Sequence, residues 1–174
     1  IIELGTGQGE TAKLIASHLP ADRQLHTFDW FKGRPMDWRP NYPKGQYNRD
    51  GQAPTDLPSN VVVHVGPLSN TAPAFASAHP GETVALIYVD VDVYLSTKHG
   101  LDGLASLIHD GTIVVFDQFI NYPGYENHGL KAFVEFLARH KKEYRVLGGY
   151  GDVQPIEHRY RSNWRNQKGA FFVY

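Results

Sequence analysis

Two acidic residues follow the most hydrophobic segment of the chain, separated from each other by one position. Residues 84–89 form that segment, and Asp90 and Asp92 come directly after it. In an extended chain a spacing of two puts both carboxylates on one face. Asp117, followed by Gln118, ends the next apolar segment. Carboxylates crowded at one edge raise each other's pKa unless a cation or hydrogen-bond donors intervene.

These side chains fit two kinds of chemistry. Mg²⁺ prefers carboxylate and amide oxygens, so Asp90, Asp117 and Gln118 are candidate metal ligands. Asp92 is then the candidate general base, which would take a proton from a substrate hydroxyl. His128 is a further candidate at the same edge. Alternatively, the acids cap helices and bind loop N–H groups, and His128 is a helix-end or surface residue.

The chain begins with a short apolar segment and a turn that contains Gly5, Gly7 and Gly9. Glycine permits positive φ and close approach of a ligand. Such a turn before a helix aims N–H groups and the positive helix end at a ligand. The G-x-G-x-G spacing differs from the dinucleotide fingerprint, because Glu10 stands where the third glycine is expected. A plain tight turn explains the motif equally well by itself.

Asp29 ends the second apolar segment, 20 residues after Gly9. At about this separation, β-α-β nucleotide sites place the carboxylate that binds ribose hydroxyls. The alternative is that Asp29 merely caps a loop. Together, the turn and this carboxylate favour a cofactor that contains ribose.

Apolar runs alternate with helical patterns along the chain. Strands are predicted over residues 1–4, 25–29, 61–65, 84–89, 112–116, 144–147 and 170–174, and helices over 11–19, over 71–79, after an N-cap at Ser96 and Thr97, and around 130–137. This alternation predicts an α/β, Rossmann-like, seven-stranded and mostly parallel sheet with helices on both faces. The polar residues 149–168 offer no crossover helix, so the last strand is expected to pair antiparallel with the sixth. Ligands of such sheets bind at the carboxyl ends of the strands.

Residues 31–60 hold five prolines and little periodicity, which indicates an insertion loop over the site. The loop could instead order on binding, or pack on a partner. The chain starts inside an apolar segment and its one methionine is Met36. We therefore expect the natural protein to extend upstream, where a lid or dimerisation segment would lie.

Composition narrows the possible functions. A length of 174 residues predicts one domain. A net charge of −1 argues against bulk attraction to nucleic acid or an anionic membrane. The absence of cysteine excludes disulfide bonds and favours a cytoplasmic location for the protein. No apolar run approaches the roughly 18 residues of a membrane span.

The chain resembles the class I S-adenosylmethionine-dependent methyltransferases. The matches are E-L-G-T-G-Q-G over residues 3–9, Asp29, and the seven-strand order with its final hairpin. More narrowly, D-V-D-V-Y-L-S-T over 90–97, F-D-Q-F over 116–119 and F-D-W-F-K-G-R-P over 28–35 look like the macrocin and aminocoumarin sugar O-methyltransferases.

The resemblance implies S-adenosylmethionine as cofactor, Mg²⁺ at Asp90 and Asp117, and Asp92 as base. In that family a second acid follows the one at position 117, whereas this chain has Gln118. The acceptor would be a hydroxyl of a small molecule such as a sugar or natural product. In that family an N-terminal region, which is absent from this chain, forms a lid and a dimer interface. The resemblance therefore implies a homo-oligomer that assembles through that region.

On this hypothesis each part of the cofactor has its own contacts. The amino acid part is held by Glu3, Gly5, Thr6, Gly7 and Gly9. Asp29 binds the ribose, the segment from Gly66 to Ser69 holds the adenine, and Asp90 lies beside the cofactor. Two alternatives remain: a non-catalytic protein that binds S-adenosylmethionine, and an NAD-dependent oxidoreductase, which the glycine spacing disfavours.

Overall fold

Seven strands form one sheet in the computed structural model, which describes residues 1–149 and 167–174. The strands are β1 (Ile2–Leu4), β2 (Leu25–Asp29), β3 (Val61–Val65), β4 (Leu86–Val89), β5 (Thr112–Phe116), β6 (Tyr144–Gly149) and β7 (Gly169–Val173). Their order is β3-β2-β1-β4-β5-β7-β6. The first five strands are parallel, which confirms the predicted α/β, Rossmann-like fold.

The last strand runs against its neighbours. β7 is antiparallel to β6, as predicted, and it also pairs antiparallel with β5, from Thr112 opposite Val173 to Phe116 opposite Gly169. Parallel neighbours need a long crossover connection, usually a helix. Most of the polar segment that led to this prediction lies outside the described residues.

In the part of the chain that the structure describes, four α-helices connect the strands: α1 (Glu10–Ser17), α2 (Leu68–Ala78), α3 (Tyr94–Gly103) and α4 (Gly129–His140). Short 3-10 helices span Ala105–Leu107 and Tyr125–Asn127. The predicted N-cap at Ser96 and Thr97 is wrong, because Val93 caps α3 and the Thr97 hydroxyl donates to the Val93 carbonyl from inside the helix. No helix in the described part of the chain is long and apolar enough to cross a membrane.

The core lies along the central strands. Leu4, Ile87, Val114 and Phe116 are completely or almost completely buried. They form one cluster with side chains of the helices and of β7, namely Ala72, Phe75, Leu101, Phe133, Phe136, Phe171 and Val173. The apolar positions that predicted the elements therefore bury one another.

The residues that follow the parallel strands meet at one edge of the sheet. Backbone N–H groups of Gly5, Asp90 and Asp117 donate to carbonyl groups at or next to the ends of the neighbouring strands, at Phe28, Leu4 and Val89, over 2.8–3.0 Å. Each ladder thus continues one residue beyond its strand. The turns after β1, β4 and β5 are consequently held side by side.

A buried polar chain crosses the sheet beneath this edge. The Thr27 hydroxyl donates to Oε2 of Glu3 over 2.5 Å, and the Thr6 and Thr27 hydroxyl oxygens lie 2.6 Å apart. A hydroxyl has one hydrogen to donate, and that of Thr27 is donated to Glu3. The Thr6 hydroxyl is therefore the donor in the hydrogen bond between Thr6 and Thr27. Glu3 is fully buried, and burial raises the pKa of its carboxyl to about 7, with the Thr27 hydrogen bond opposing the rise.

This carboxyl makes folding stability depend on pH. The pKa of Glu3 is higher in the folded protein than in the unfolded chain. The contribution of Glu3 to folding stability is therefore fully present below the unfolded-state pKa, and it is lost as the pH rises through about 7. We expect the free energy of unfolding of the wild type to fall, relative to that of Glu3→Gln, by roughly 2–3 kcal/mol between pH 5 and pH 8. Urea unfolding at both pH values measures this. Glu82→Gln, at an exposed carboxylate, is the control. If the free energy of unfolding changed with pH in the same way in the wild type and in Glu3→Gln, the expectation would be contradicted.

Candidate active site

The glycine turn between β1 and α1 lies directly against the end of β4. Gly5 has φ +95°, and a Cβ there would lie 2.1 Å from the carbonyl oxygen of Asp90. Gly7 has φ +53°, and a Cβ there would have no neighbour within 4 Å. Gly5 is therefore required by a close approach of two backbones, whereas Gly7 faces open space.

Asp29 ties this turn to the end of β2. Its Oδ2 accepts hydrogen bonds from the backbone N–H groups of Thr6 and Gly7, over 3.1 and 2.9 Å. Its Oδ1 accepts one from the N–H of Phe31, over 2.8 Å. The carboxylate therefore organises the turn on one side and the start of the long loop on the other.

A cavity of about 740 Å³ opens above the carboxyl ends of the strands. The structure brings together around it most of the residues predicted for a site: Gly5, Thr6, Gly7, Asp29, Gly66, Ser69, Asp90, Asp92, Asp117 and Gln118. The predicted loop over the site also lines the cavity, through Arg34, Pro35, Trp38, Tyr42, Gln46, Tyr47, Asn48 and Arg49. Within residues 31–60 the described backbone forms only isolated bridges, between Lys32 and Asn48 and between Arg39 and Tyr42.

Three predicted site residues do not line this cavity. Glu3 is buried beneath the turn, and Gly9 is the N-cap of α1 with Leu57 packed against it. His128 lies at the N-cap of α4, where its ring stacks with that of Tyr122 at 6.2 Å. Burial lowers the pKa of His128, and a backbone hydrogen bond with Trp38 opposes that shift.

Asp92 is presented by a tight turn and not by a strand. β4 ends at Val89, and Asp92 has φ +56° while the N–H of Val93 donates to the carbonyl of Val91 over 2.6 Å. The prediction that period-two alternation places Asp90 and Asp92 on one face is therefore wrong. The two carboxylates reach the cavity from a three-residue turn that follows the strand.

Arg34 forms an ion pair with Asp92 across 58 residues of sequence. Its Nε and Nη2 both donate to Oδ2 of Asp92, over 3.0 and 2.6 Å, and the side chains are 2% and 14% exposed. Neither bond reaches Oδ1, so the second carboxylate oxygen is left to the cavity. Burial raises the pKa of Asp92, while the charge and hydrogen bonds of Arg34 lower it.

The long loop encloses this arginine. Its Nη1 donates to Oε1 of Gln46 over 2.8 Å, and its guanidinium carbon lies 5.1–5.6 Å from the ring centres of Trp38, Tyr42 and Tyr47. Guanidinium groups at this distance from aromatic faces gain cation–π attraction. The sequence predicted the loop over the site but did not single out Arg34. Its position beside the predicted ribose-binding Asp29, in a Pro- and aromatic-rich loop, was the available signal.

Asp117 is held by three donors. The Tyr88 hydroxyl donates to its Oδ1 over 2.7 Å, the Lys168 ammonium also contacts Oδ1, and the Gln118 amide nitrogen donates to Oδ2. Lys168 comes from the segment before β7 and was missed by the sequence reasoning. Burial raises the pKa of Asp90 to about 7; the charges of Asp92 and Glu3 add to this, and that of Lys168 opposes it.

These acids do not converge as ligands of one ion. Asp92 is paired with Arg34, and Asp117 with Lys168. In residues 1–149 and 167–174, no group of three or more His, Cys, Asp or Glu side chains could hold a metal ion. Because the ammonium group of Lys168 already binds Asp117, the arrangement does not fit the predicted magnesium site of Asp90, Asp117 and Gln118.

Comparison with known proteins adds family evidence to this geometry. The family described as a methyltransferase domain matches residues 2–119, which include the glycine turn, Asp29, Asp90, Asp92 and Asp117. No curated protein matches the chain significantly.

Several solved structures share the fold. The calicheamicin methyltransferase CalS11 is 19% identical with a TM-score of 0.71, and the match covers 99% of this chain and 71% of that one. The O-methyltransferase NovP is 19% identical with a TM-score of 0.67, covering 99% and 70%. An O-methyltransferase from Bacillus cereus, solved in complex with SAH, is 16% identical with a TM-score of 0.57, covering 99% and 71%.

The contact between Gly5 and the Asp90 carbonyl predicts a large loss of stability for Gly5→Ala. The added Cβ combines a severe clash with positive φ, so we expect a loss of about 2–4 kcal/mol. Gly81→Ala is the matched control, because Gly81 has φ +79° and open space around it, and should cost about 1 kcal/mol. Urea unfolding compares the stability of the two variants. Equal losses of stability in Gly5→Ala and Gly81→Ala would show that the contact between Gly5 and the Asp90 carbonyl yields to the added methyl group.

Proposed function

The chain belongs to the family of methyltransferase domains, and on that premise we propose that it transfers a methyl group from S-adenosylmethionine to a hydroxyl of a small molecule. One observation carries the proposal. The glycine turn and Asp29 line the same cavity as the Asp90–Asp92 turn, so a cofactor half and a proton-accepting half face one another.

The cofactor half follows from the turn after β1. Gly7 leaves open space for the amino acid part of the cofactor, and Thr6 lies beside it. Asp29 holds both residues and would receive the ribose hydroxyls through its carboxylate. Gly66 and Ser69 line the cavity at the end of β3 and the start of α2, and there they would flank the adenine.

The acceptor half is built around Asp92. A lone pair of the acceptor oxygen would form the new C–O bond, the S–CH₃ bond would break with its electron pair left on sulfur, and the proton would pass to Asp92. Arg34 binds only Oδ2 of Asp92, so Oδ1 is the oxygen that would take the proton. Because the methyl group is already activated in the cofactor, alignment of the reactants supplies much of the rate, on the order of 7–11 kcal/mol in favourable cases.

The acceptor is proposed to be a sugar or a related natural product. One of the fold neighbours, CalS11, is described as a TDP-rhamnose 3'-O-methyltransferase. In this chain the loop over residues 31–60 lines the cavity with Trp38, Tyr42 and Tyr47, and Asn48 and Arg49 add polar groups. Aromatic faces with a few polar groups are typical of small-molecule sites.

Three residues change role relative to the sequence hypothesis. Glu3 and Gly9 would support the turn without touching the cofactor, because both lie outside the cavity lining. His128 takes no part in this proposal, because its ring packs on Tyr122.

Cofactor identity is tested by calorimetric titration with S-adenosylhomocysteine and, separately, with NAD. We expect binding of the first and none of the second. Asp29→Asn should weaken S-adenosylhomocysteine binding by roughly 10- to 100-fold, since hydrogen bonds to a charged group contribute about 1.5–3 kcal/mol. Asp22→Asn, at an exposed carboxylate, is the control. Binding of NAD alone would overturn the assignment in favour of an oxidoreductase.

The proposed base is tested by Asp92→Asn. This change keeps the size of the side chain but removes its ability to take a proton, so we expect methyl transfer to be abolished while S-adenosylhomocysteine affinity stays within a few-fold. Transfer from labelled S-adenosylmethionine is measured against glycosylated acceptors, beginning with TDP-rhamnose. Unchanged turnover in Asp92→Asn would remove Asp92 as base, and a wild type that binds cofactor but methylates none of them would favour a non-catalytic binding protein.

A further inference from the structure

Lys168 places an ammonium group at the acidic edge of the cavity, where the sequence predicted a metal ion. We infer that Lys168 supplies the positive charge beside Asp117, so that this corner of the site works without a divalent cation. The inference rests on the proposed function, because it concerns how the same site neutralises its acids.

Contacts at Asp117 are the first line of support. Lys168 and the Tyr88 hydroxyl both reach Oδ1, and the Gln118 amide nitrogen reaches Oδ2. The Lys168 ammonium also lies 3.1 Å from the Tyr88 hydroxyl oxygen, which fixes it on that side of the carboxylate. A divalent cation bound to Asp117 would therefore lie next to an ammonium group and be repelled by it.

The second line of support is the state of the other two acids. Asp92 already has Arg34 as its cation, in a buried pair with N–O distances of 2.6 and 3.0 Å. Asp90 forms no ion pair with any residue that the structure describes. Arg34 and Lys168 therefore neutralise one carboxylate each, Asp92 and Asp117.

Gln118 retains one oxygen that a metal could use. Its Oε1 is buried and has no hydrogen-bond partner, while its amide nitrogen faces Asp117. Mg²⁺ prefers carboxylate oxygens and water, and the neighbouring carboxylate of Asp117 already binds an ammonium group. Removal of the ammonium group should make the corner more receptive, because Asp90, Asp117 and Gln118 all line the cavity.

The experiment compares the wild type with Lys168→Met, and uses Lys44→Met, at an exposed lysine, as the matched control. MgCl₂ is titrated calorimetrically into each protein, and melting temperatures are recorded in EDTA and in millimolar MgCl₂. We expect no saturable heat and no melting shift for the wild type and Lys44→Met. Lys168→Met should bind Mg²⁺ saturably and be stabilised by it. S-adenosylhomocysteine binding to the wild type should be the same in EDTA and in MgCl₂.

Saturable Mg²⁺ binding by the wild type, or S-adenosylhomocysteine binding that requires MgCl₂, would overturn the inference. Failure of Lys168→Met to gain Mg²⁺ binding would remove Lys168 as the residue that stands in for the ion. If this variant does not fold, the two wild-type titrations decide the question. A wild type that binds no S-adenosylhomocysteine under either condition would instead count against the proposed function, so the two failures are distinguishable.

Discussion

The site depends on one backbone contact, the approach of the glycine turn to the end of β4. The space for a Cβ at Gly5 is taken by the carbonyl oxygen of Asp90. Backbone bonds from Gly5 to β2 and from Asp90 to β1 hold the two turns in this position. Hence the part of the cavity proposed for the cofactor and the part proposed for the acceptor share one floor.

Three of the acids around this floor have a partner within the chain. Glu3 is linked to Thr27, Asp92 to Arg34 and Asp117 to Lys168. Burial of an ion without such partners costs several kcal/mol, and removal of one partner leaves the other uncompensated. The pairs are therefore better understood as setting the orientation and protonation of the carboxylates than as sources of net stability.

Arg34 connects the long loop to the chemistry. Trp38, Tyr42 and Tyr47 surround its guanidinium group on one side, and Asp92 binds it on the other. The loop lacks regular secondary structure, and these contacts help to fix its course together with backbone bonds such as those of the bridge between Lys32 and Asn48. A segment built in this way both lines the cavity and holds the proposed base through Arg34.

The amino-acid sequence by itself determined the strands, the glycine turn and the acids at the strand ends. Apolar runs bounded by Gly and Asp report local structure, and a parallel sheet necessarily gathers its carboxyl ends at one edge. That argument located Gly5, Asp29, Asp90 and Asp117 without coordinates. The tertiary structure alone decided the left-handed turn at Asp92, the pairing of that residue with Arg34, the contact of Lys168 with Asp117, and the exclusion of Glu3 and His128 from the cavity. Those pairings join residues 51 and 58 positions apart, and no periodicity of a single segment records which side chain will face which across such a separation.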